Sequence, residues 1–384
     1  MAFLKKYMLL LFLTANATAE YILFMSISKY MFYGVLALSI PFVLSKNVLS
    51  WEALKKCPAI YALSAVLIVY QFSLGFVGAT SESWLYLVAK LATFGVMVLC
   101  IGEDFIFYFK KFVLKFSYVI LALIILGWFV NSHGLSDRMY TFGYINRNVA
   151  CTLASIGFAG FLFGKEHHSK FDLLGMSILF ITILIGGSRN ALAMSLIFIA
   201  IRYGMSFRLV FVMSVLGIVI VYLLPDMGIS IDAFTRLTDT VSGELATDRE
   251  AQRQGAMMMI EAKPWTGWGL GAKISGEALE VSHYGAHNGY LTFLMYMGYI
   301  FGGGFLTIIA VAVIKRLKLY KLHDNYYNYH LAVIASVLFA ANQEDYLVGV
   351  NQIATNMFFL SFVVTGFYLY YYNNDELVLI DSQE

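Results

Sequence analysis

The chain has 384 residues, of which 60% are hydrophobic and only 13% charged, with a mean hydropathy of +0.73 and a formal net charge of +2. Soluble domains carry about a quarter charged residues, so this balance excludes one and points to a polytopic membrane protein. No basic run interleaved with aromatics suggests a nucleic-acid partner. Cys57, Cys100 and Cys151 lie far apart in or beside apolar segments and form no CxxC or His/Cys cluster, so neither a disulfide framework nor a metal site is expected, and no cofactor is implied.

In chain order, apolar runs long enough to cross about 30 Å of hydrocarbon fall near 8–27, 29–45, 59–76, 84–101, 113–130, 148–164, 171–186, 190–203, 207–224, 288–314, 330–347 and 353–372. The expected fold is therefore all-α, a transmembrane bundle of about twelve spans forming one integral membrane domain over residues 1–384. No small-residue cleavage site follows the first run, which reads as a retained span and not as a signal peptide. Between the ninth and tenth runs, residues 225–287 form a polar interruption, read as a long extracytoplasmic loop holding short helices and the catalytic site. The basic residues orient the chain. With a cytoplasmic N-terminus, most of the 26 Lys and Arg residues, including Lys55, Lys56, Lys110, Lys111, Lys165 and Lys315, occupy cytoplasmic loops. The basic residues on the other side are mostly arginines gathered near the long loop, the distribution a phosphorylated ligand would need.

Under this topology three segments face outward together. The connector Arg138-Met-Tyr-Thr-Phe-Gly-Tyr-Ile-Asn-Arg-Asn148 supplies Arg138, Arg147 and Asn148 just before a span. Gly186-Gly-Ser-Arg-Asn190 places Arg189 at a tight break between two apolar helices. An arginine there forks toward two oxygens and stays charged, although a guanidinium snorkelling to the interface is the competing reading; Gly186 and Gly187 favour close approach of a ligand. The long loop carries a helix with Thr247 and Glu250 in capping-box spacing. Arg249 and Arg253 are four residues apart on one face of it, with a solvated helix face paired with Glu250 as the competing reading. Pro264 stops that helix, glycines 267, 269 and 271 permit a tight turn, and Trp265 and Trp268 are placed like interfacial anchors. His287 closes the loop at the water boundary, where an imidazole can take a proton from an attacking hydroxyl or merely hydrogen-bond. The last outward loop offers Glu344 and Asp345 either to an arginine or sugar hydroxyl, or simply to water.

The order of these features resembles the O-antigen ligase and O-antigen polymerase superfamily. The resemblance rests on Arg249, then Pro264, Gly267 and Gly269, then His287-Asn288 opening a span, then Gly298 and Gly302-Gly-Gly304, with ten residues between His287 and Gly298. Upstream, Gly143-Tyr-Ile-Asn-Arg-Asn148 looks like the family's connector, with Arg147 where proline is commoner, and Ser188-Arg189 looks like its buried-end arginine. The motifs cover roughly residues 135–310.

The resemblance implies a membrane glycosyltransferase of the multi-spanning, GT-C-like type in a bacterial inner membrane, its active site facing the periplasm. The donor is a glycan on undecaprenyl diphosphate and the acceptor a glycan hydroxyl. Arg189, Arg249 and His287 carry over as catalytic residues, with Arg138, Arg147, Asn148, Arg253, Asn288 and an acidic residue, Glu344 or Asp345, at the substrate. Inversion is expected, no metal is required, and a flippase and a chain-length regulator are implied as partners. Polymerase is preferred because His287-Asn-Gly-Tyr-Leu291 and the glycine-rich segment after it look more like repeat-unit polymerases. Ligase, transferring glycan to lipid A core, has nearly the same chemistry. A polysaccharide or lipid transporter is the alternative of another class, and would place its polar groups near the bilayer midplane and show internal repeats.

Overall fold

The computed structural model describes residues 2–44, 48–75, 80–130, 142–204, 246–276, 278, 285–320 and 324–374. Among these residues the regular structure is helical: α1 Ala2–Ala17, α2 Met25–Val43, α3 Trp51–Lys56, α4 Pro58–Gly75, α5 Ser81–Glu103, a π-turn Phe107–Lys111 leading into α6 Phe112–Val130, α7 Arg147–Phe163, α8 Lys170–Gly186, α9 Arg189–Tyr203, α10 Ala246–Ala262, α11 Gly289–Leu317, α12 Asn325–Ala340 and α13 Ile353–Asn373. Each expected span that falls on described residues is occupied by a helix; the run 207–224 and the first part of the long loop lie outside them.

Five of these helical stretches are long and apolar enough to cross a membrane: Ser26–Val43, Ser81–Glu103, Phe107–Val130, Gly289–Leu317 and Ile353–Asn373. The expected figure of about twelve is larger because several apolar helices are short. α7, α8 and α9 have 17, 17 and 15 residues, which at 1.5 Å per residue reach only about 22–26 Å. Two expected boundaries also move. α1 ends at Ala17, and residues 18–21 turn to make an isolated bridge between Tyr21 and Tyr144. α12 ends at Ala340, so 341–352 is loop and not span.

Packing explains the short α7. α7 is buried from Ala150 to Phe163, and α13 is buried over most of its length. A helix enclosed by other helices needs neither the length nor the uniform hydrophobicity of one facing lipid. Small residues let its neighbours approach: a Cβ on Gly160 would lie 1.9 Å from Ser117 Oγ, and one on Gly157 2.7 Å from an Ile120 methyl. Close backbone approach of this kind is the usual means of helix association in lipid, where hydrophobic burial between helices is weak.

The chain's alternating direction gives the bundle two ends. One carries the C-termini of α1, α4, α8 and α12 and the N-termini of α5, α7, α9, α11 and α13, tied by contacts such as Asn16 Nδ2 to Asn351 Oδ1 at 2.6 Å. The other carries Lys55, Lys56, Lys165, Arg202, Lys315 and Lys318. There Ser169 and Asp172 form a capping box at the start of α8, and Lys165 pairs with Asp172 at 3.0 Å. Most basic loop residues are thereby gathered at the end remote from the long loop.

This segregation predicts the outcome of surface labelling. A cysteine at the exposed position Gln254 is expected to react with an impermeant maleimide in intact cells, and one at the exposed position Tyr320 only after permeabilisation. The native cysteines 57, 100 and 151 are buried and give little background. Labelling of 320 but not 254 from outside would reverse the orientation.

Candidate functional site

Three helix starts meet at the end of the bundle that bears the long loop. α8 finishes at Gly186; Gly187, in the left-handed region at φ 65°, reverses the chain, and Ser188 caps α9 by accepting from Ala191 N. Arg189 is thus the first residue of α9 and Asn190 the second, with Arg189 half-buried and Asn190 buried. Gly186 serves packing, since a Cβ there would stand 2.3 Å from Cys151 Sγ on α7. The reading of both glycines as room for a ligand is therefore corrected: one is a helix stop and the other a helix contact.

α7 begins the same way. Asn146 caps it by accepting from Asn148 N at 2.9 Å, placing Arg147 and Asn148 in the first turn, both half-buried. The residues before it pair with the turn after α1: Ile22 N donates to Gly143 O at 2.8 Å and Ile145 N to Glu20 O at 3.0 Å. Glu20 lies in this crowded turn, and burial raises its carboxyl above the usual range. From α7, the Thr152 hydroxyl meets Tyr346 Oη at 2.6 Å, tying this helix to the loop that bears the candidate carboxylates.

The third corner is a clasp between residues 287–292 and 341–345. His287 has φ 43°, an unusual backbone for a residue with a side chain. The next residue, Asn288, caps α11 by accepting from Tyr290 N and Leu291 N, while its amide donates to the Asn342 carbonyl and side chain at 3.1 and 3.2 Å. Gly289 N donates to Ala341 O at 2.8 Å and to Glu344 O at 3.1 Å. Thr292 Oγ1 donates to Asp345 Oδ1 at 2.8 Å. From α10, Arg253 Nη2 donates to Asn342 O at 3.3 Å. Buried anchors fix the rest of the loop, with Lys90 Nζ on Gly349 O at 2.9 Å and Asn356 Nδ2 on Val350 O at 3.0 Å.

Inside this clasp Glu344 joins two corners of the site. One oxygen accepts from Asn190 Nδ2 at 3.3 Å and the other lies 3.5 Å from His287 Nδ1. Glu344 is buried and His287 is half-exposed, so the carboxylate braces the imidazole from inside while its ring remains within reach of solvent. Asp345 does a different job. Its hydrogen bond to Thr292 secures the clasp, and burial raises its carboxyl above the usual range, offset in part by Thr292 and His287. The two adjacent carboxylates are thereby distinguished: Glu344 contacts the imidazole and Asp345 holds the helix start.

The tryptophan-glycine turn is built into α11. Gly298 interrupts that helix at φ 68°, ψ −178°, a conformation essentially reserved for glycine. The break frees backbone groups that the turn takes up: Trp268 N donates to Met295 O at 3.0 Å, Gly269 N to Tyr296 O at 2.9 Å and Tyr299 N to Pro264 O at 2.7 Å. Tyr70 Oη on α4 adds a hydrogen bond to Thr266 O at 2.9 Å. Trp265 is exposed as expected of an interfacial anchor, but Trp268 turns inward and donates from Nε1 to Met259 O at 2.6 Å, so it fastens the turn to α10. A Cβ on Gly298 would stand 2.4 Å from Trp265 O. Gly298→Ala is therefore expected to cost roughly 2–3 kcal/mol or more from backbone strain and clash together, read as lower thermal stability in detergent. An unchanged melting temperature would refute this account of the motif.

Of the expected site residues, the structure brings Asn288, Arg253, Glu344, Asp345 and His287 into one cluster, with Arg189 adjoining it through Asn190. Arg147 and Asn148 start the neighbouring α7. Arg138 lies outside the described residues, as does the side chain of Arg249; position 249 is on α10, one turn before Arg253 on the same face. α10 already includes Thr247 and ends at Ala262, before Pro264. Sequence reasoning missed Asn190 and Asn342. Both are amides beside residues that were noticed, Arg189 and Gln343-Glu344, and only the fold reveals that they are partners.

Fold and site together define a polytopic helical membrane protein whose polar loops assemble a His–Glu–Asn constellation at one end of the bundle. Residues 174–309, about a third of the chain, match the O-antigen ligase family model, so over this segment the chain is similar to the O-antigen ligase and polymerase superfamily of membrane enzymes. The match runs from α8 into α11 and contains Arg189, Arg249, Arg253, His287, Asn288 and Gly298, but neither the 138–148 connector nor Glu344 and Asp345. Comparison with curated proteins finds no match.

Proposed function

We propose that the protein is a polysaccharide polymerase that transfers a glycan from undecaprenyl diphosphate to a sugar hydroxyl of another lipid-linked repeat unit, on the outer face of a bacterial inner membrane. The observation that carries the reading is the Asn190–Glu344–His287 chain, which sets an imidazole at the water boundary beside the start of α9, where Arg189 stands. In the reaction the acceptor hydroxyl attacks the anomeric carbon as the bond from that carbon to the diphosphate oxygen breaks. His287 takes the hydroxyl proton, and lipid diphosphate leaves with the bonding electrons. One in-line displacement inverts the anomeric centre. Arg189, at the N-terminal end of a helix, and Arg249 on α10 oppose the negative charge that develops on the leaving group.

Glu344 favours the imidazolium that forms and fixes the ring through Nδ1. Arg253 and Asn288 both bind Asn342 and so hold the clasp. In this reading their contribution to substrate is through the shape of the cleft, with Arg138, Arg147 and Asn148 contacting sugar or phosphate from the α7 side. The loop 225–287 is the catalytic segment of the single membrane domain. Because both substrates are confined to one leaflet, positioning supplies a large part of the rate.

Purified protein in nanodiscs, given an undecaprenyl-diphosphate oligosaccharide, is expected to produce a ladder of products, and to do so in the presence of EDTA. A single product formed only when a lipid A core acceptor is added would make it a ligase. Loss of the ladder on chelation, restored by magnesium or manganese, would replace the arginines as the leaving-group cations. No covalent product with either acceptor would remove the glycosyltransferase reading.

A further inference from the structure

At the end of the bundle remote from His287, an open cavity of about 950 Å³ lies between α4, α11 and α13. Its volume is at the upper end of the ~300–1,000 Å³ range of small-molecule sites. The mouth is cationic: Lys55, Lys315 and Lys318 are exposed there, and Lys56 and Arg316 line it as well, with no carboxylate among the described lining residues. Glu52 pairs with Lys56 at 2.6 Å, which leaves the exposed Lys55, Lys315 and Lys318 to the cavity mouth. The charge on Arg316 is buried. Its guanidinium donates to Thr365 Oγ1 at 2.7 Å, Ala312 O at 2.8 Å and Phe362 O at 2.8 Å, all neutral acceptors. A buried cation with neutral partners is costly, and an anion at the mouth would offset that cost.

Away from the mouth the walls are apolar, formed by residues such as Ala62, Ile308, Val311 and Leu369. Along α11 the lining runs from Thr307 to Arg316, about 14 Å at 1.5 Å per residue, close to the ~15 Å depth of one hydrocarbon leaflet. A groove of that length, cationic at its mouth and apolar beyond it, has the dimensions and polarity of an acidic phospholipid.

We propose that this groove is a binding site for one anionic phospholipid of the leaflet opposite the His287 site, its phosphate headgroup held by Lys55, Lys315 and Lys318 and an acyl chain lying against α4, α11 and α13. The site is separate from the glycan chemistry, so it stands whether the enzyme is a polymerase or a ligase. Its occupancy would steady the C-terminal halves of α11 and α13, whose other ends carry the clasp around Glu344.

The test is native mass spectrometry of the full chain released from mixed phosphatidylglycerol and phosphatidylethanolamine nanodiscs. The wild type is expected to retain one phosphatidylglycerol in preference to phosphatidylethanolamine. The triple variant Lys55→Ala, Lys315→Ala, Lys318→Ala is expected to lose that preference by roughly tenfold or more at low salt. The triple Lys→Arg variant, which keeps the charge, is expected to retain it. These lysines are exposed, so folding is preserved; unchanged glycan assembly by the alanine variant confirms this and does not depend on the lipid result. Equal retention of the two lipids by the wild type, or undiminished phosphatidylglycerol retention by the alanine variant, would overturn the proposal. Equal protection by inorganic phosphate alone would also do so, since the acyl groove would then play no part.

Discussion

Arg189→Ala and Arg249→Ala are each expected to lower glycan assembly by about a hundredfold or more while the protein still inserts in the membrane. The reasoning is electrostatic. As the anomeric bond breaks, charge accumulates on a diphosphate held at a membrane surface, and each arginine removed leaves part of that charge without a fixed cation. Water and mobile ions would have to reorganise to replace it, which a preplaced guanidinium avoids. Lysine at either position is expected to rescue poorly, because a two-pronged planar donor becomes a point charge. Arg253→Ala is the internal comparison. Its guanidinium is engaged by the Asn342 carbonyl at 3.3 Å, so its removal should loosen the clasp and reduce activity several-fold, without the loss expected at 189 and 249. Turnover of lipid-linked oligosaccharide in nanodiscs measures all three. Near wild-type turnover in either alanine variant at 189 or 249 would take that residue out of the leaving-group role.

What the sequence made legible was whatever repeats on the scale of a helix or breaks that repetition. Apolar runs located the helices because lipid tolerates little else, and the ends of α4, α8 and α13 fall within a few residues of the hydropathy boundaries. Pro264, Gly187 and Gly298 were visible as interruptions, since few residue types stop or bend a helix. Helix lengths were less legible. α7 is enclosed by other helices and has no need to match the bilayer, a property of the packing and not of local composition. The end of α12 at Ala340 was missed because Tyr346, Leu347 and Val348 continue the hydrophobic count; in the fold they are buried in a loop whose polar backbone is satisfied by Lys90 and other anchors.

The site was legible as a set of residues but not as a set of contacts. His287, Glu344 and Asp345 could be picked out as polar groups at helix ends, yet nothing local ranks two adjacent carboxylates. Their roles separate only when α9 places Asn190 against Glu344 and α11 places Thr292 against Asp345, at sequence separations of 154 and 53 residues. Trp268 shows the same limit. An aromatic next to glycines beside a span has the composition of an interfacial anchor, and only the kink at Gly298 explains why it points inward instead.

His287→Ala is expected to reduce turnover by about a hundredfold or more with donor affinity little changed, since the imidazole acts on the acceptor proton and not on the lipid diphosphate. Glu344→Gln tests how that imidazole is held. The amide keeps the size of the side chain and can still meet Asn190, but removes the negative charge that lies 3.5 Å from Nδ1. A loss of about tenfold is expected, again in turnover more than in donor binding. If Glu344 acts through His287, the two substitutions are strongly non-additive, and Glu344→Gln in a His287→Ala background adds little further loss. Asp345→Asn gives the contrast: it retains an acceptor for the Thr292 hydroxyl at the start of α11, so it is expected to alter stability more than turnover. Additive losses at 287 and 344 would separate Glu344 from the imidazole and give it a role of its own at the substrate. Full activity in His287→Ala would leave the acceptor hydroxyl without a base at this site and would end the proposed mechanism.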